Sequence, residues 1–209
     1  MKYCSLILVF LFLSCVEKED ILLPKSNVTI VSDVKDHSPI YVFFRTKGKD
    51  TLAEVNRKNS IISTNWILNI DKRLPLRLVI PEVMKLQEKK RSDGAHKNEL
   101  AENYYSYADS IGKNLAFLPF TIVYYTFGEP AAGNMIIRFK KSNNLVLVGD
   151  KEIQKKELVN YVYSIDQIVQ PKIFIVFDKN MSFDEYIQTK ILVRKFDSYN
   201  DDVPKEFIY

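Results

Sequence analysis

Few side chains in this sequence have the type and spacing that chemistry requires. The two histidines, His37 and His96, are not spaced with any Cys or carboxylate in a metal-binding or catalytic pattern, so we interpret both as surface residues. Asp201 and Asp202 are adjacent acids that could bind a cation. Adjacent acids directly before a Val-Pro pair are more typical of a solvated turn, and we favour that interpretation.

A hydrolytic set can be imagined from Asp109, Ser110 and His96. Nothing in their spacing places these side chains together, and the sequence contains no GxSxG nucleophile elbow. It also contains no GxGxxG, GxxxxGK(S/T), HExxH or CxxC motif. The sequence therefore predicts no catalytic residue, no metal site and no cofactor, and we expect a protein that is not an enzyme.

A tyrosine cluster, Tyr104, Tyr105 and Tyr107, could stack on sugar rings. Residues 98–116 have helical spacing, and this spacing predicts that Tyr104 and Tyr107 pack in the core while Tyr105 lies outside. The apolar positions that carry the helical prediction are Leu100, Tyr104, Tyr107, Ala108, Ile111 and Leu115. The basic pairs Lys140-Lys141 and Lys155-Lys156 could meet phospholipid or cell-wall acids, but such pairs are usually solvated.

The composition is that of a globular protein. The chain has 209 residues, of which 46% are hydrophobic, and this excludes a mainly disordered state. The length suits one ordinary domain or two small ones. A net charge of +4, spread over residues of both signs, is too small to indicate a nucleic-acid partner.

The N-terminus has the layout of an export signal. Lys2 is followed by an apolar run from Ser5 to Ser14, too short to span a bilayer, which needs about 20 residues. The Ser14-Cys15 pair after this run resembles the bacterial lipobox, and the resemblance implies cleavage after residue 14 and a lipid attached to Cys15. An ordinary signal peptide or a buried strand remains an alternative. Cleavage would leave Cys15 as the only cysteine, so a disulfide framework is excluded.

Residues 16–20, of which four are charged, resemble the surface-export signal of Bacteroidetes lipoproteins, although a solvated tether would have the same composition. We expect a signal peptide at 1–14 and a lipidated N-terminus with its tether at 15–38. The predicted location is the cell envelope, anchored by lipid to the outer membrane, with the periplasmic or surface side left open.

Residues 39–133 predict a mixed α/β region. Pro75 and Pro81 are expected to prevent a continuous helix before residue 81. The other predicted features are a strand at 39–46, a turn at 48–50, an extended segment at 60–71, a helix from 81, a loop at 91–99 and a buried strand at 119–127. Residues 128–134, which contain two glycines and a proline, are the best domain boundary.

Residues 134–209 predict a β-β-α-β-α-β order, with one sheet packed on two helices in an α+β fold. A capping box from Ser182 to Glu185 opens the second helix, which is expected to run to about Asp197. The predicted elements are strands at 134–141 and 145–149, a helix at 155–169, a strand at 172–178, a helix from 183 and a last strand at 206–209.

This order resembles the periplasmic domain of the ExbD/TolR family. In that family a strand runs into a D-K-x-x-x-(Y/F) loop that opens a helix, and the matching residues here are Asp178-Lys179-Asn180-Met181-Ser182-Phe183. The resemblance implies protein partners or peptidoglycan, and self-association through sheet edges such as the short last strand. We expect Asp178, Lys179 and Ser182 to form a structural turn.

The resemblance also exposes a difference. Family members carry a membrane helix with an Asp that couples to proton flow, whereas the apolar run at 5–14 contains no acid. We therefore expect a non-enzymatic envelope lipoprotein that binds partners. The alternatives are a divergent ExbD/TolR-type component of an energy-transducing transport system and, with less support, a lipid-anchored hydrolase.

An internal repeat is a further hypothesis. Residues 67–80 align with 174–187 so that Asp71-Lys72 lies over Asp178-Lys179. An apolar strand that meets an Asp-Lys turn also recurs by chance, so both explanations stay open at this point.

Overall fold

The computed structural model describes residues 20–92, 98–131, 135–169, 172–194 and 205–209. These residues form two six-stranded sheets and three α-helices. The predicted α+β class is confirmed. Cys15, His96, Asp201 and Asp202 lie outside the described residues, so their predicted roles stay predictions.

The first sheet contains the strands of the N-terminal half. Its order is β6-β5-β4-β2-β3, and the short β1 pairs with the end of β5 beyond β4. β2, β4 and β5 run parallel to one another, whereas β3 and β6 are antiparallel hairpin partners of β2 and β5. The bounds are β1 Lys25–Ser26, β2 His37–Lys47, β3 Asp50–Asn56, β4 Asn65–Ile70, β5 Asn103–Asp109 and β6 Asn114–Pro119.

The second sheet has the order β10-β9-β8-β11-β12-β7. β8, β11, β12 and β7 are parallel, and β8, β9 and β10 form an antiparallel meander. The bounds are β7 Tyr124–Phe127, β8 Met135–Phe139, β9 Leu145–Val148, β10 Lys151–Gln154, β11 Ile173–Phe177 and β12 Lys205–Ile208.

Three helices connect the parallel strands. They are α1 Leu76–Arg91, α2 Leu158–Val169, which follows a 3-10 turn at Lys155–Glu157, and α3 Phe183–Val193. The prediction that Pro75 and Pro81 prevent a continuous helix before residue 81 is wrong, because the helix begins at Leu76. Pro75 is the extended N-cap of α1 (φ −74°, ψ 150°), and Pro81 lies inside the helix. Because Pro81 is only the sixth helical residue, its missing N–H costs one bond near the N-terminus, and the buried face of α1 compensates.

The predicted helix at 98–116 is also wrong, because these residues form the β5–β6 hairpin. Leu100 and Ile111, which the helical pattern placed on the core face, are 87% and 72% exposed. The tyrosines of β5 favour a strand over a helix. The chain reverses at 110–113, where Lys113 adopts a left-handed conformation (φ 54°). The predicted buried strand at 119–127 splits at Pro119, where β6 ends; β7 begins at Tyr124.

The C-terminal elements agree more closely with the prediction. β8, β9, α2, β11, α3 and β12 appear in the predicted order, whereas β10 was not predicted. α3 ends at Val193, and the predicted extension to Asp197 lies outside the described residues. The expectation that the last strand offers a free sheet edge is wrong, because β12 lies between β11 and β7.

One hydrophobic core joins both sheets. Trp66 and Leu68 of the first sheet belong to the same buried cluster as Phe139 and Phe177 of the second. β7 precedes the predicted boundary at 128–134 yet pairs with β12 in the second sheet. A fragment that begins at residue 134 therefore lacks one strand of its own sheet.

Candidate functional site

The two Asp-Lys turns detected in the sequence meet in space. Each turn connects a central parallel strand to a helix, β4 to α1 and β11 to α3. In each turn the aspartate carboxylate accepts a hydrogen bond from the backbone N–H of the residue two positions later. The distances are 3.0 Å from Arg73 N to Asp71 Oδ1 and 2.8 Å from Asn180 N to Asp178 Oδ1.

The contact between these turns is reciprocal. Leu76 N–H donates to Met181 O (3.0 Å), and Phe183 N–H donates to Leu74 O (2.8 Å). When Asp71 is aligned with Asp178, Leu74 and Leu76 correspond to Met181 and Phe183, so the two bonds are equivalent. The pair Arg77 N to Lys179 O (2.8 Å) and Asp184 N to Lys72 O (3.1 Å) repeats this relation.

The surroundings of the turns extend the equivalence. Asp71 N–H donates to Val42 O of β2, and Asp178 N–H donates to Phe139 O of β8, both at 3.0 Å. In both halves the strand before the turn lies beside a parallel strand that itself begins a hairpin. The alignment in the sequence thus corresponds to a shared local topology and an approximate two-fold relation at this seam.

The three residues predicted to form a structural turn lie at this seam. The Asp178 carboxylate accepts backbone bonds from Asn180 and, at 3.3 Å, from Lys141. Lys179 is exposed, and its N–H donates to Tyr209 O (2.9 Å). Ser182 is the N-cap of α3. All three act in local hydrogen bonding here.

The capping box at α3 is complete. Ser182 Oγ accepts from Glu185 N–H (3.2 Å), while Glu185 Oε2 accepts from Ser182 N–H (3.1 Å). Burial raises the pKa of the Glu185 carboxyl, but the hydrogen bonds from Ser182 and Ser142 outweigh burial and hold it below its ordinary value. The cap predicted from the sequence is present with both of its bonds.

A buried polar cluster in the core contains three tyrosines. Tyr105 Oη lies 2.7 Å from Tyr125 Oη, which lies 3.1 Å from Tyr186 Oη. Tyr186 O–H donates to Glu206 Oε2 (2.6 Å), and Lys190 Nζ donates to Glu206 Oε1. Burial raises the pKa of all three phenols, so the cluster is neutral apart from the Lys190–Glu206 ion pair.

This tyrosine network joins elements from both halves of the chain. Tyr105 belongs to β5, Tyr125 to β7, Tyr186 to α3 and Glu206 to β12. The Tyr105 ring stacks on Phe120 with centroids 3.8 Å apart and meets Phe183 edge-on. Each polar atom of the network has a protein partner, so the arrangement fixes the packing of the two sheets.

The expectation that Tyr105 lies outside is wrong, because its side chain is fully buried. When both faces of a strand are covered, the side chains that point to either face are buried. Tyr105 and Tyr107 therefore face the main core, and Tyr104 packs in a second cluster with Val34, Ile67 and Phe117. No exposed row of tyrosines exists on β5 for sugar stacking.

The other candidates from the sequence are not brought together. His37 is exposed, and its Nδ1 lies 2.7 Å from Val34 O. Asp109 is buried at the end of β5, where Thr29 O–H and the N–H groups of Ile111 and Gly112 donate to it. The Thr29 bond, followed by those backbone bonds, holds the Asp109 pKa below its ordinary value. Asp109 therefore fastens the N-terminal segment and a turn, while the hydrolytic partner proposed from sequence, His96, is outside the described residues.

The basic pairs differ from each other. Lys140, Lys141 and Lys156 are exposed. Lys155 is half-buried, and its ammonium lies 5.9 Å from the centre of the Phe139 ring. Burial lowers the Lys155 pKa, with a smaller opposing effect of Glu185.

Lys90 is a buried cation that sequence reasoning missed. Its side chain is 6% exposed, and Nζ donates to Thr64 O and Glu102 O at 3.0 Å each. The ammonium lies 4.9 Å from the centre of the Trp66 ring. Burial lowers the Lys90 pKa from 10.5 to about 8, although Glu102 opposes the shift. The signal in the sequence was its position: Lys90 lies on the apolar face of α1, four residues after Leu86 and seven residues after Val83.

Two further observations concern the described residues as a whole. They contain no group of three or more His, Cys, Asp or Glu side chains arranged to hold a metal ion. Among the same residues, no helix combines the length and the apolar content needed to cross a membrane.

Comparison with protein-family models, with curated proteins and with solved structures gives no match to this chain.

Proposed function

We propose that this chain is a lipid-anchored protein of the cell envelope that acts by binding protein partners or the cell wall. The apolar run that ends at Ser14-Cys15 supports the anchor. The body begins a few residues later, with Leu22 N–H directed at Asp71 Oδ2 (3.5 Å) and Lys72 N–H donating to Leu22 O (2.8 Å). The tether would thus join the folded body near Leu22, close to the seam between the two Asp-Lys turns.

The observation that supports a binding role is that the buried acids Asp71, Asp109 and Glu206 are engaged in hydrogen bonds and ion pairs within the protein. Glu206 is held by Tyr186 and Lys190. Asp71 is held by Arg73. Burial raises the pKa of the Asp71 carboxyl, but the hydrogen bonds and charge of Arg73 outweigh burial and keep this pKa below its ordinary value. Asp109 accepts three bonds from its neighbours. Groups engaged in this way stabilise a rigid body, and a rigid body with an open sheet edge is suited to binding.

The second candidate is a divergent component of an ExbD/TolR-type transport system. The observation that favours it is the order of β8, β9, α2, β11, α3 and β12, the order that the family resemblance implies. The two candidates differ in what they require of the chain. A transport component has to be coupled to a membrane motor, whereas a binding lipoprotein needs only its anchor and its surface.

The test is crosslinking of the tagged full chain in intact cells, followed by purification and identification of the crosslinked partners. A binding lipoprotein should yield crosslinks to envelope proteins or to peptidoglycan, and these should persist when the proton gradient is collapsed. Crosslinks to a membrane motor protein that disappear with the gradient would support the transport component instead. A chain found only in the cytoplasmic fraction would contradict both proposals.

A further inference from the structure

The outer edge of β7 differs from the other sheet edges of the described chain. Edge strands in soluble proteins usually carry charges or are covered, which prevents other chains from pairing with them. β3 contains Asp50 and Glu54, and β10 contains Lys151 and Glu152. β6 is uncharged, but a flanking segment covers it, since Val31 exchanges backbone bonds of 2.9 and 3.2 Å with Phe117.

β7 has neither kind of protection among the described residues. Its sequence is Tyr-Tyr-Thr-Phe, with no charged residue and no proline. Tyr124 and Phe127 are 45% and 47% exposed, and the preceding Ile122 is 65% exposed. A short aromatic edge is thus open to solvent.

The backbone of β7 offers hydrogen-bonding groups on this open side. Gly128 N–H donates to Ile208 O (2.8 Å), so by strand alternation the backbone groups of Thr126 also face β12. The N–H and C=O groups of Tyr125 and Phe127 therefore point away from the sheet, where no described strand lies. An added strand could pair with both residues.

A groove runs beside the same edge. It lies between α1 and β7, has a volume of about 550 Å³, and is lined by Met84, Gln87, Glu88, Arg91, Ser92, Tyr124 and Tyr125. Gln87 and Arg91 donate to Val123 O at 3.0 and 3.1 Å, which fixes the start of β7 against the helix. The groove is therefore built on two anchored elements.

The charge in the groove indicates what would bind there. The Arg91 guanidinium lies 3.9 Å from the centre of the Tyr124 ring, and its Nη2 donates to Thr121 O and Val123 O. A guanidinium has five N–H donors, so Nε and Nη1 remain for a carboxylate. Glu88 lies one turn earlier on α1 and also lines the groove. Because its carboxylate would repel an acidic side chain, an acidic residue of a ligand is expected at the Arg91 end of the groove.

We propose that β7 and this groove form a docking site for an extended peptide segment of a partner protein. The segment adds a strand through backbone bonds to Tyr125 and Phe127, places an apolar side chain against Met84 and Tyr124, and directs an acidic residue at Arg91. This proposal rests on the proposed binding function and locates the site for it.

The experiment uses phage-displayed random nonapeptides selected on the full chain, and the best peptide is then synthesised with a fluorescent label. Phe127→Pro removes the outward N–H but spares the bonds to β12, whereas Phe127→Val keeps that N–H and serves as the matched control. We expect the proline variant to weaken the peptide Kd by about tenfold or more, and the valine variant by no more than about threefold. The selected peptides should alternate apolar residues and carry an acid.

A second measurement tests the proposal even if the proline variant fails to fold. Amide hydrogen exchange on the wild-type chain should show that the peptide protects the amides of Tyr125 and Phe127. Equal binding to both variants, selection of no peptide above background, or absence of protection at these amides would overturn the proposal. A dimer of the chain that dissociates in Phe127→Pro would assign the edge to a second copy instead. Peptide binding by a chain that takes up no palmitate label in cells would support the site while contradicting the lipid anchor, so the two proposals can fail separately.

Discussion

Lys90 should make the stability of this protein depend on pH in the alkaline range. The pKa of Lys90 falls from 10.5 to about 8 because its side chain is buried. Between these two values the unfolded chain binds more protons at this position than the folded chain does, so stability rises as pH rises. At 1.4 kcal/mol for each pH unit, the full rise is about 3 kcal/mol, of which about 2 kcal/mol falls between pH 8 and pH 10.

The perturbation is Lys90→Met, which keeps the length of the side chain and removes the titrating group. The matched control is Lys89→Met, because Lys89 is exposed and its Nζ donates to Ser60 Oγ (2.7 Å). The free energy of unfolding should rise between pH 8 and pH 10 in Lys89→Met as in the wild type. In Lys90→Met that rise should be smaller by about 2 kcal/mol.

Urea unfolding measured at several pH values provides the assay. Trp66, the one tryptophan of the sequence, is 1% exposed and reports unfolding by fluorescence, and circular dichroism gives an independent signal. Buried tyrosines whose pKa is raised lower the stability above about pH 10, but they do so equally in all three proteins. Identical pH profiles for Lys90→Met and the wild type would refute the assignment of the low pKa to Lys90.

Three further predictions concern the tyrosine network, the Asp-Lys turn and the domain boundary. Tyr186→Phe should lower the free energy of unfolding by about 2 kcal/mol, because a buried phenol and a buried carboxylate each lose a partner. Tyr41→Phe in β2, where the tyrosine is partly exposed and its ring stacks on Phe43, should change it little in the same urea titration. Asp178→Asn should cost about 1 kcal/mol in a thermal melt, as for a weakened cap, while partner crosslinking stays intact; unchanged stability with lost transport would favour the transport component. The fragment 134–209 should melt less cooperatively than 120–209, which retains β7, and equal melts by circular dichroism would restore the boundary predicted from the sequence.

The elements after residue 134 could be predicted because their local signals agree with their tertiary setting. The helical face of α2 contains Leu158 and Val162, both fully buried, as its period indicated. The Ser182 cap and the nearly all-apolar β11 are likewise local signals, and the apolar run of β11 suits a strand between two parallel neighbours.

The hairpin of β5 and β6 shows why the rest could not be read from periodicity. A strand buried on both faces has no polar face, so the apolar residues of β5 also fitted a helical pattern. The tyrosine content and the turn at Gly112 were the competing signals for a strand. Pro81 misled in a similar way, because the local rule on proline does not include the burial of α1 against both sheets.

The docking edge and the buried Lys90 depend on contacts between distant segments. Nothing near Tyr124 in the sequence indicates that β7 pairs with β12 rather than with β6. The interaction of Lys90 with Trp66 likewise joins residues that periodicity treats separately. Such features follow from the order of strands in the sheets, which local patterns do not determine.

The central claim, a chain anchored by lipid at Cys15, is tested most directly by metabolic labelling with a palmitate analogue. The sequence supplies its own control, because its only other cysteine is Cys4, within the predicted signal peptide at 1–14. We expect label on the wild type and on Cys4→Ala, and none on Cys15→Ala. Equal labelling of Cys15→Ala and the wild type, or no label on any of the three, would contradict the account.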